Sequence, residues 1–586
     1  MSSLPRPRPA PAAASTAAAA ASTAAAIETR GLVDLPIDVL IRIAVRLPRV
    51  EAVARLACTC RDLHSPAFFE AAMRERTARR GGEVPLPSGL RRRETMVQAL
   101  CRGERRDCFQ RQNKIAAGDY HSVFVSEEGR LMTCGTHSFR DNPQPILGHS
   151  ELDDVDLQVI GGDSVLVVPR PVAGLADVRV RTVATGYAHT LAVSEAGAVY
   201  SFGLGQNGEL GHGNEADQHT PRVIESLRGV RAVAASGGLE HSLVLSAAGE
   251  VYSFGAGGRG QIGHDPHSLF APSRDWHQPQ QEVTERLQLT PRVIDSLQGV
   301  RVVAVAAGAY HSLLLSEAQH VHSLGGGGAT RRSSSRGRTS RFTGPQWTPQ
   351  INEALRRVNV VAVSGGLGHS LVLSEQGHVY AFGNGSDGEL GNGRDHHSTF
   401  YEFTSGGMQI NARIRAQQRA LATTDAFGHG RDLMVHSMTL ADEAVPRLIE
   451  SLGGVRVVGI SAGGSLQTGG SGHSLVLSKE GEVYSFGHSA YGELGRNFDN
   501  ESEALPTSVP DVVETLRGTR VVEIAAGGAS SLAATDTGAA YGWGRSECTG
   551  LREQVGAGER QSATPLRFAD LELALPVHAF IHRPCY

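Results

Sequence analysis

One block recurs seven times between residues 113 and 544, and this repetition most constrains what the chain can fold into. The third copy, residues 230–255, reads "VRAVAASGGLEHSLVLSAAGEVYSFG". A β-branched run ends at glycine, a polar pair follows, and an alternating run leads through a short turn into "VYSFG". β-Branched and aromatic residues in period two favour strands, and the Gly-containing turns favour hairpins. "PRVIESL" and "PRVIDSL", after Pro221, Pro291 and Pro446, supply a fourth short strand. Proline at a strand's start suits a sheet edge, where no ladder donor is needed. Self-similarity with a period of roughly 50 residues marks a propeller or solenoid. One four-stranded unit cannot bury both of its faces, whereas a ring of such units can.

The glycines after "VYSF" invite a different reading. Gly203, Gly205 and Gly208 form a literal G-x-G-x-x-G, the spacing of a phosphate-cradling loop. Such a fingerprint occurs once, opens a helix and has an acidic partner about 20 residues on. Here the frame returns at Gly255, Gly257 and Gly260, and again at Gly383, Gly385 and Gly388. Polar, Pro-containing segments follow instead of helices. The repeated glycines are therefore read as tight turns with positive φ.

The polar pairs are His121-Ser122, His189-Thr190, His241-Ser242, His311-Ser312, His369-Ser370 and His473-Ser474, with Ser530-Ser531 in the seventh copy. Each histidine occupies the same place in a different repeat, so the set is spread around a ring. That arrangement points to a structural role, hydrogen bonding to local backbone, and away from a metal or catalytic centre. His396, His397, His429 and His436 lie too far apart in sequence for a metal motif.

Taken together, the "AAG", "HSL", "VYSFG" and "GELGHG" elements resemble the regulator of chromosome condensation repeat. The resemblance covers about residues 113–570. It implies a mainly β fold: a seven-bladed propeller of four-stranded antiparallel blades over 113–586. It also implies closure by pairing of the two chain ends, with "PLRFADLELALPV" (565–577) beside the first copy. Insertions interrupt the repeats at about 264–290, 325–345 and 394–445. The second contains Arg331, Arg332, Arg336, Arg338 and Arg341 among serines and replaces the glycine turn of copy four. The third includes "INARIRAQQRALA", which has helical spacing. Loops on a rigid ring are where binding sites usually lie, so the first and third are candidate partner surfaces.

Before the repeats, residues 31–80 form a small all-α unit. Asp34 can cap a helix starting near Pro36, and Ile37, Leu40, Ile43, Ala44 and Leu47 follow at helical spacing until Pro48. Three short helices make too small a core to be robust alone, and such a unit borrows a partner's surface. Leu35, Pro36, Val39, Leu40, Ile43, Leu47, Leu56, Cys58, Cys60-Arg61, Leu63 and Phe68 resemble the F-box, although "DLH" stands where that family carries a tryptophan. The resemblance implies an apolar helix face docked on the Skp adaptor of a cullin-type ubiquitin ligase.

Residues 1–30 are an Ala-, Pro- and Ser-rich tail, read as disordered, although a transit peptide has a similar composition. Residues 81–112 are a basic linker. Residues 1–111 hold 19 Arg and no Lys against 11 acids, so a basic arm precedes an acidic body in a chain of net charge −4. That balance argues against nucleic acid bound by bulk charge. The seven cysteines contain no CxxC pair, which fits reduced thiols in the nucleus or cytoplasm. No apolar run is long enough to span a membrane. No catalytic triad, paired-acid motif or metal spacing is present, and no cofactor is implied. A photoreceptor of this fold needs stacked tryptophans, and Trp276, Trp347 and Trp543 lie far apart in sequence.

Together the two resemblances imply a non-enzymatic substrate-recognition adaptor, with the F-box-like unit tethering the ligase and the ring holding an unknown target protein. The rival expectation is a guanine-nucleotide exchange factor for a small GTPase, or a chromatin-associated scaffold of the same propeller family.

Overall fold

The computed structural model describes residues 113–573, apart from 139–144, 150–156, 161–162, 270–285, 327–345, 394–400, 405–406, 411–442, 466–471, 497–506 and 550–560. The chain divides into two units, Met1–Cys108 and Phe109–Tyr586, and every described residue belongs to the second. The tail, the F-box-like unit with Leu35, Pro36, Val39, Leu40, Ile43, Leu47, Leu56 and Cys58, and all of the linker lie outside the described residues. So do the four histidines at 396, 397, 429 and 436, and the "NARIRAQQRALA" stretch.

Seven antiparallel sheets follow one another along the chain. Blade two is typical. Its strands run from the axis outward as Val180–Thr185, His189–Ser194, Val199–Gly203 and Gln218–Val223. Blades three to seven repeat this order. Blade one adds a fifth strand, Leu157–Ile160, outside Asp163–Pro171. The second strand of each blade is buried at every position because a neighbouring blade covers each face. This explains "HSLVLS": both strand faces are interior, so apolar residues occupy consecutive positions.

The third strand carries the large side chain that fills each joint. Phe202, Phe254, Phe382, Phe486 and Trp543 are fully buried. Phe254 of blade three packs with Leu191, Val193 and Val199 of blade two, so the core is a circle of shared layers between blades. The circle closes, because Leu532, Ala534 and Ala540 of blade seven pack with Ile115, Phe124 and Cys134 of blade one.

Two sequence expectations require correction. The fourth strand begins before the proline, at Gln218, Leu287, Gln346, Glu443 or Thr507, and "ESL" or "DSL" forms a 3-10 turn. Pro221 sits where the pairing slips between Ser201↔Arg222 and Gly203↔Gln218. The irregularity spares the ladder the donor that proline lacks. The second correction concerns closure. Gln561–Glu572 pairs with the third strand of blade seven, through Tyr541↔Arg567 and Gly542↔Leu566. Among the described residues its backbone meets the first copy at the Ser126↔Leu573 bridge and the Glu127 N–H to Glu572 carbonyl bond, and Phe568 packs on Phe124. Blade one already has its own fourth strand, Asp163–Pro171, so the pairing edge is taken.

Antiparallel order makes the two faces of the ring different. One face carries the turns between second and third strands, such as 195–198 and 247–250. It also carries the blade-to-blade links 172–179, 224–231, 294–301, 352–359, 449–456 and 513–520, each eight residues long. The opposite face carries the connections from third to fourth strand, which vary from 204–217 in blade two to 384–442 in blade five. The strands that flank all three insertions end on that second face. The blade-five insertion contains a hairpin, Tyr401–Thr404 with Gly407–Ile410.

Candidate functional site

The histidines hold the blades together. His121 Nε2 lies 2.7 Å from Thr190 Oγ1, and His189 Nε2 lies 3.0 Å from Ser242 Oγ. His241 reaches Ser312, His311 reaches Ser370, His369 reaches Ser474 and His473 reaches Ser531, each at 2.9 Å. The partner is thus the hydroxyl of the next blade, not local backbone as the sequence suggested. Six joints of the ring carry one such staple.

The hydrogen-bond directions follow from the inventory of donors. Ser242 Oγ donates to the Glu209 carbonyl at 2.8 Å, and Ser312, Ser474 and Ser531 donate likewise to Gln261, Glu389 and Glu493. A hydroxyl has one proton, so in these joints the imidazole Nε2–H must be the donor. The histidines are neutral. Burial lowers their pKa to about 3 for His189, His241 and His369 and to about 4 for His121, His311 and His473. The small residues near the axis make room for the rings: a Cβ on Gly186 would lie 2.1 Å from His189 Cε1.

The glycine turns do not form a phosphate cradle. In blade two the Glu209 carboxyl oxygen accepts the Asn207 amide at 2.7 Å, so the chain's own side chain engages the turn. Glu389 and Glu493 do the same for Asp387 and Tyr491, and Gln261 does so for Arg259. Burial pushes the Glu209 carboxyl up to about 8. Glu493 is equally enclosed and burial pushes its carboxyl up, yet the contact with His488 Nδ1, the nearby His473 and a backbone amide together hold its pKa below the usual carboxylate value. These capping side chains went unassigned at the sequence level, although their recurrence in "GELG" and "GQIG" is the signal that finds them.

Gly203, Gly208, Gly383 and Gly388 have φ of +106°, +78°, +108° and +81°. Gly205 is required for space instead, because a Cβ there would lie 2.5 Å from the Ala216 carbonyl oxygen. Gly385 accepts the closing bond of its turn from the Gly388 amide. Copy four keeps the first glycine of the pattern, Gly325, at φ +102°.

Among the described residues no group of three His, Cys, Asp or Glu is placed to hold a metal. Trp543 is buried and donates to the Glu493 carbonyl at 2.8 Å, while Trp347 lies in the outer strand of blade four. The arrangement can clamp neighbouring sheets and hold a channel open along the axis, lined by backbone and small side chains from every blade.

Known proteins share this architecture. The model of the RCC1-like domain matches residues 215–579, and that of the regulator of chromosome condensation (RCC1) repeat matches 113–140 and 180–209. The E3 ubiquitin-protein ligase HERC2 of Homo sapiens is 30% identical over 380 residues, which cover 64% of this chain but only 6% of HERC2. The ultraviolet-B receptor UVR8 of Arabidopsis thaliana is 27% identical over 392 residues, covering 65% of this chain and 79% of the receptor. The crystal structure of Prp20p from Saccharomyces cerevisiae, a protein with described binding to Gsp1p and histones, superposes with a TM-score of 0.52 at 21% identity. That superposition covers 80% of this chain and 89% of Prp20p. With more than half of its residues matched by one family model and seven blades closed in a ring, the chain belongs to the RCC1-like domain family.

Proposed function

We propose that this protein is a substrate-recognition adaptor of a cullin-type ubiquitin ligase. The observation that carries the reading is an F-box-like residue series, Leu35 to Phe68, on the same chain as an RCC1-like propeller. In this reading Leu35, Pro36, Leu40 and Ile43 dock on the Skp adaptor, and the ring holds the target protein. Ubiquitin transfer belongs to other subunits. The wide variation of connections on one face supports that face as the target surface, because a rigid ring can vary its loops without losing its core. HERC2, a ubiquitin ligase by name, matches 380 residues of this chain within a far longer protein.

The test is capture of a Skp-type adaptor by the full-length protein. Leu40→Asp with Ile43→Asp should abolish capture, and retained capture by a folded double variant counts against the proposal. A second reading, nucleotide exchange on a small GTPase or attachment to chromatin, draws on the described binding of Prp20p to Gsp1p and histones. Acceleration of nucleotide release from a Gsp1-type GTPase by the purified protein would favour it.

A further inference from the structure

Six joints of the ring are stapled by histidine, and the seventh lacks only the imidazole. Ser530 occupies the histidine position in blade seven. Gly527 is retained where the other blades place glycine beneath the ring. Ser122 of blade one presents its hydroxyl and donates to the Cys548 carbonyl at 2.9 Å, as Ser242 does to Glu209. Ser530 Oγ is fully buried and has no hydrogen-bond partner. The innermost strand of blade one is also short: Ile115–Ala117 spans three residues, whereas every other innermost strand spans six.

We infer that the joint between blades seven and one is a built-in seam, the place where the ring opens first and closes last. Its latch comes from one side chain and one segment. Glu523 Oε1 accepts the backbone amides of Lys114 at 2.8 Å and Ile115 at 3.3 Å. Residues 547–549 and 561–573 supply nearly all the rest. The Glu547 and Thr549 carbonyls accept from Thr136 Oγ1 and Cys134 Sγ, and Cys548 Sγ donates to the Asp119 carbonyl. Phe568 meets Phe124 edge-on at 4.9 Å, and Leu573 bridges Ser126. One axial backbone bond, Gly528 N–H to the Gly118 carbonyl, matches those of other joints. Release of residues 547–549 and 561–573 would therefore leave blade one held across the seam by Glu523, that axial bond, the Ser465 hydroxyl donating to Asp119 at 2.6 Å and apolar contact. A stapled joint would keep its imidazole.

Hydrogen exchange on the full-length protein tests this directly. Amides of 114–117 and 527–531 should exchange faster than their counterparts at 302–307 and 308–312 in blade four. Ser530→His supplies the missing imidazole to a waiting hydroxyl and should slow the seam amides about five- to tenfold, the effect of one net hydrogen bond. His311→Ser should create a second soft joint between blades four and five. Equal protection of seam and blade-four amides in the unmodified protein would overturn the inference. So would a folded Ser530→His protein with unchanged seam exchange. If that variant does not fold, His311→Ser decides: failure to loosen its own joint shows that the staples do not govern opening.

Discussion

At the scale of single residues, the molecule depends on neutral groups where charges would be expected. The six stapling histidines have folded pKa values near 3 to 4, below the ordinary 6.5. A lowered histidine pKa means that the unfolded chain binds more protons between those values. The stability these residues contribute is therefore complete above about pH 6.5 and is lost as pH falls toward 4. Each contributes a slope of up to about 1.4 kcal/mol per pH unit in that window. Urea melts across pH 4 to 7 should show a steep acid loss, and His311→Gln should flatten it by roughly one proton's worth. Glu209 behaves in the opposite sense. Its folded pKa, about 8, lies above the ordinary 4.5, so its burial opposes folding increasingly as pH rises from about 4.5 to 8. Glu209→Gln, the amide that blade three already uses at Gln261, should raise the thermal midpoint at pH 8 and leave it unchanged near pH 4. The gain at pH 8 should be on the order of several kcal/mol.

At the scale of elements, the blade is a four-strand meander whose corners are made by glycine. Gly203 combines φ +106° with a wall 2.3 Å from where a Cβ would stand, the Ala188 carbonyl. Gly203→Ala should cost more than about 1 kcal/mol, because strain and close contact act together. Gly229→Ala is the control. It too has positive φ, but nothing lies within 4 Å of its Cβ position, so its cost should be strain alone. Chemical denaturation of the two variants separates these terms. Strand order was legible in the repeat because period-two patterning and turn residues are local signals. The start of the fourth strand was not, since Pro221 reads as a boundary in sequence and is in fact accommodated at a slip in register. The capping role of Glu209, Glu389 and Glu493 was also hidden, because an acid beside glycines resembles any polar turn until its carboxylate is seen to accept an amide.

At the scale of the whole molecule, closure decides how stability is shared. The main apolar layers each belong to two adjacent blades, so a blade shares its core with its neighbours. Removing residues 521–573 should expose the layer that Trp543 fills and the one that Phe124 and Phe568 share. Such a protein should aggregate or melt at much lower temperature, as light scattering during a thermal ramp would report. An open solenoid would lose only one neighbour's contribution.

The sequence by itself determined the number of blades, their strand order and the positions of the turn glycines, because repetition, alternation and backbone sterics act over a few residues. Only the tertiary structure decided which groups bond across joints, where the last strand pairs and which joint lacks its staple. Those outcomes depend on partners tens to hundreds of residues away, as in Tyr541 with Arg567, His189 with Ser242 and Cys548 with Asp119, and no local pattern encodes them.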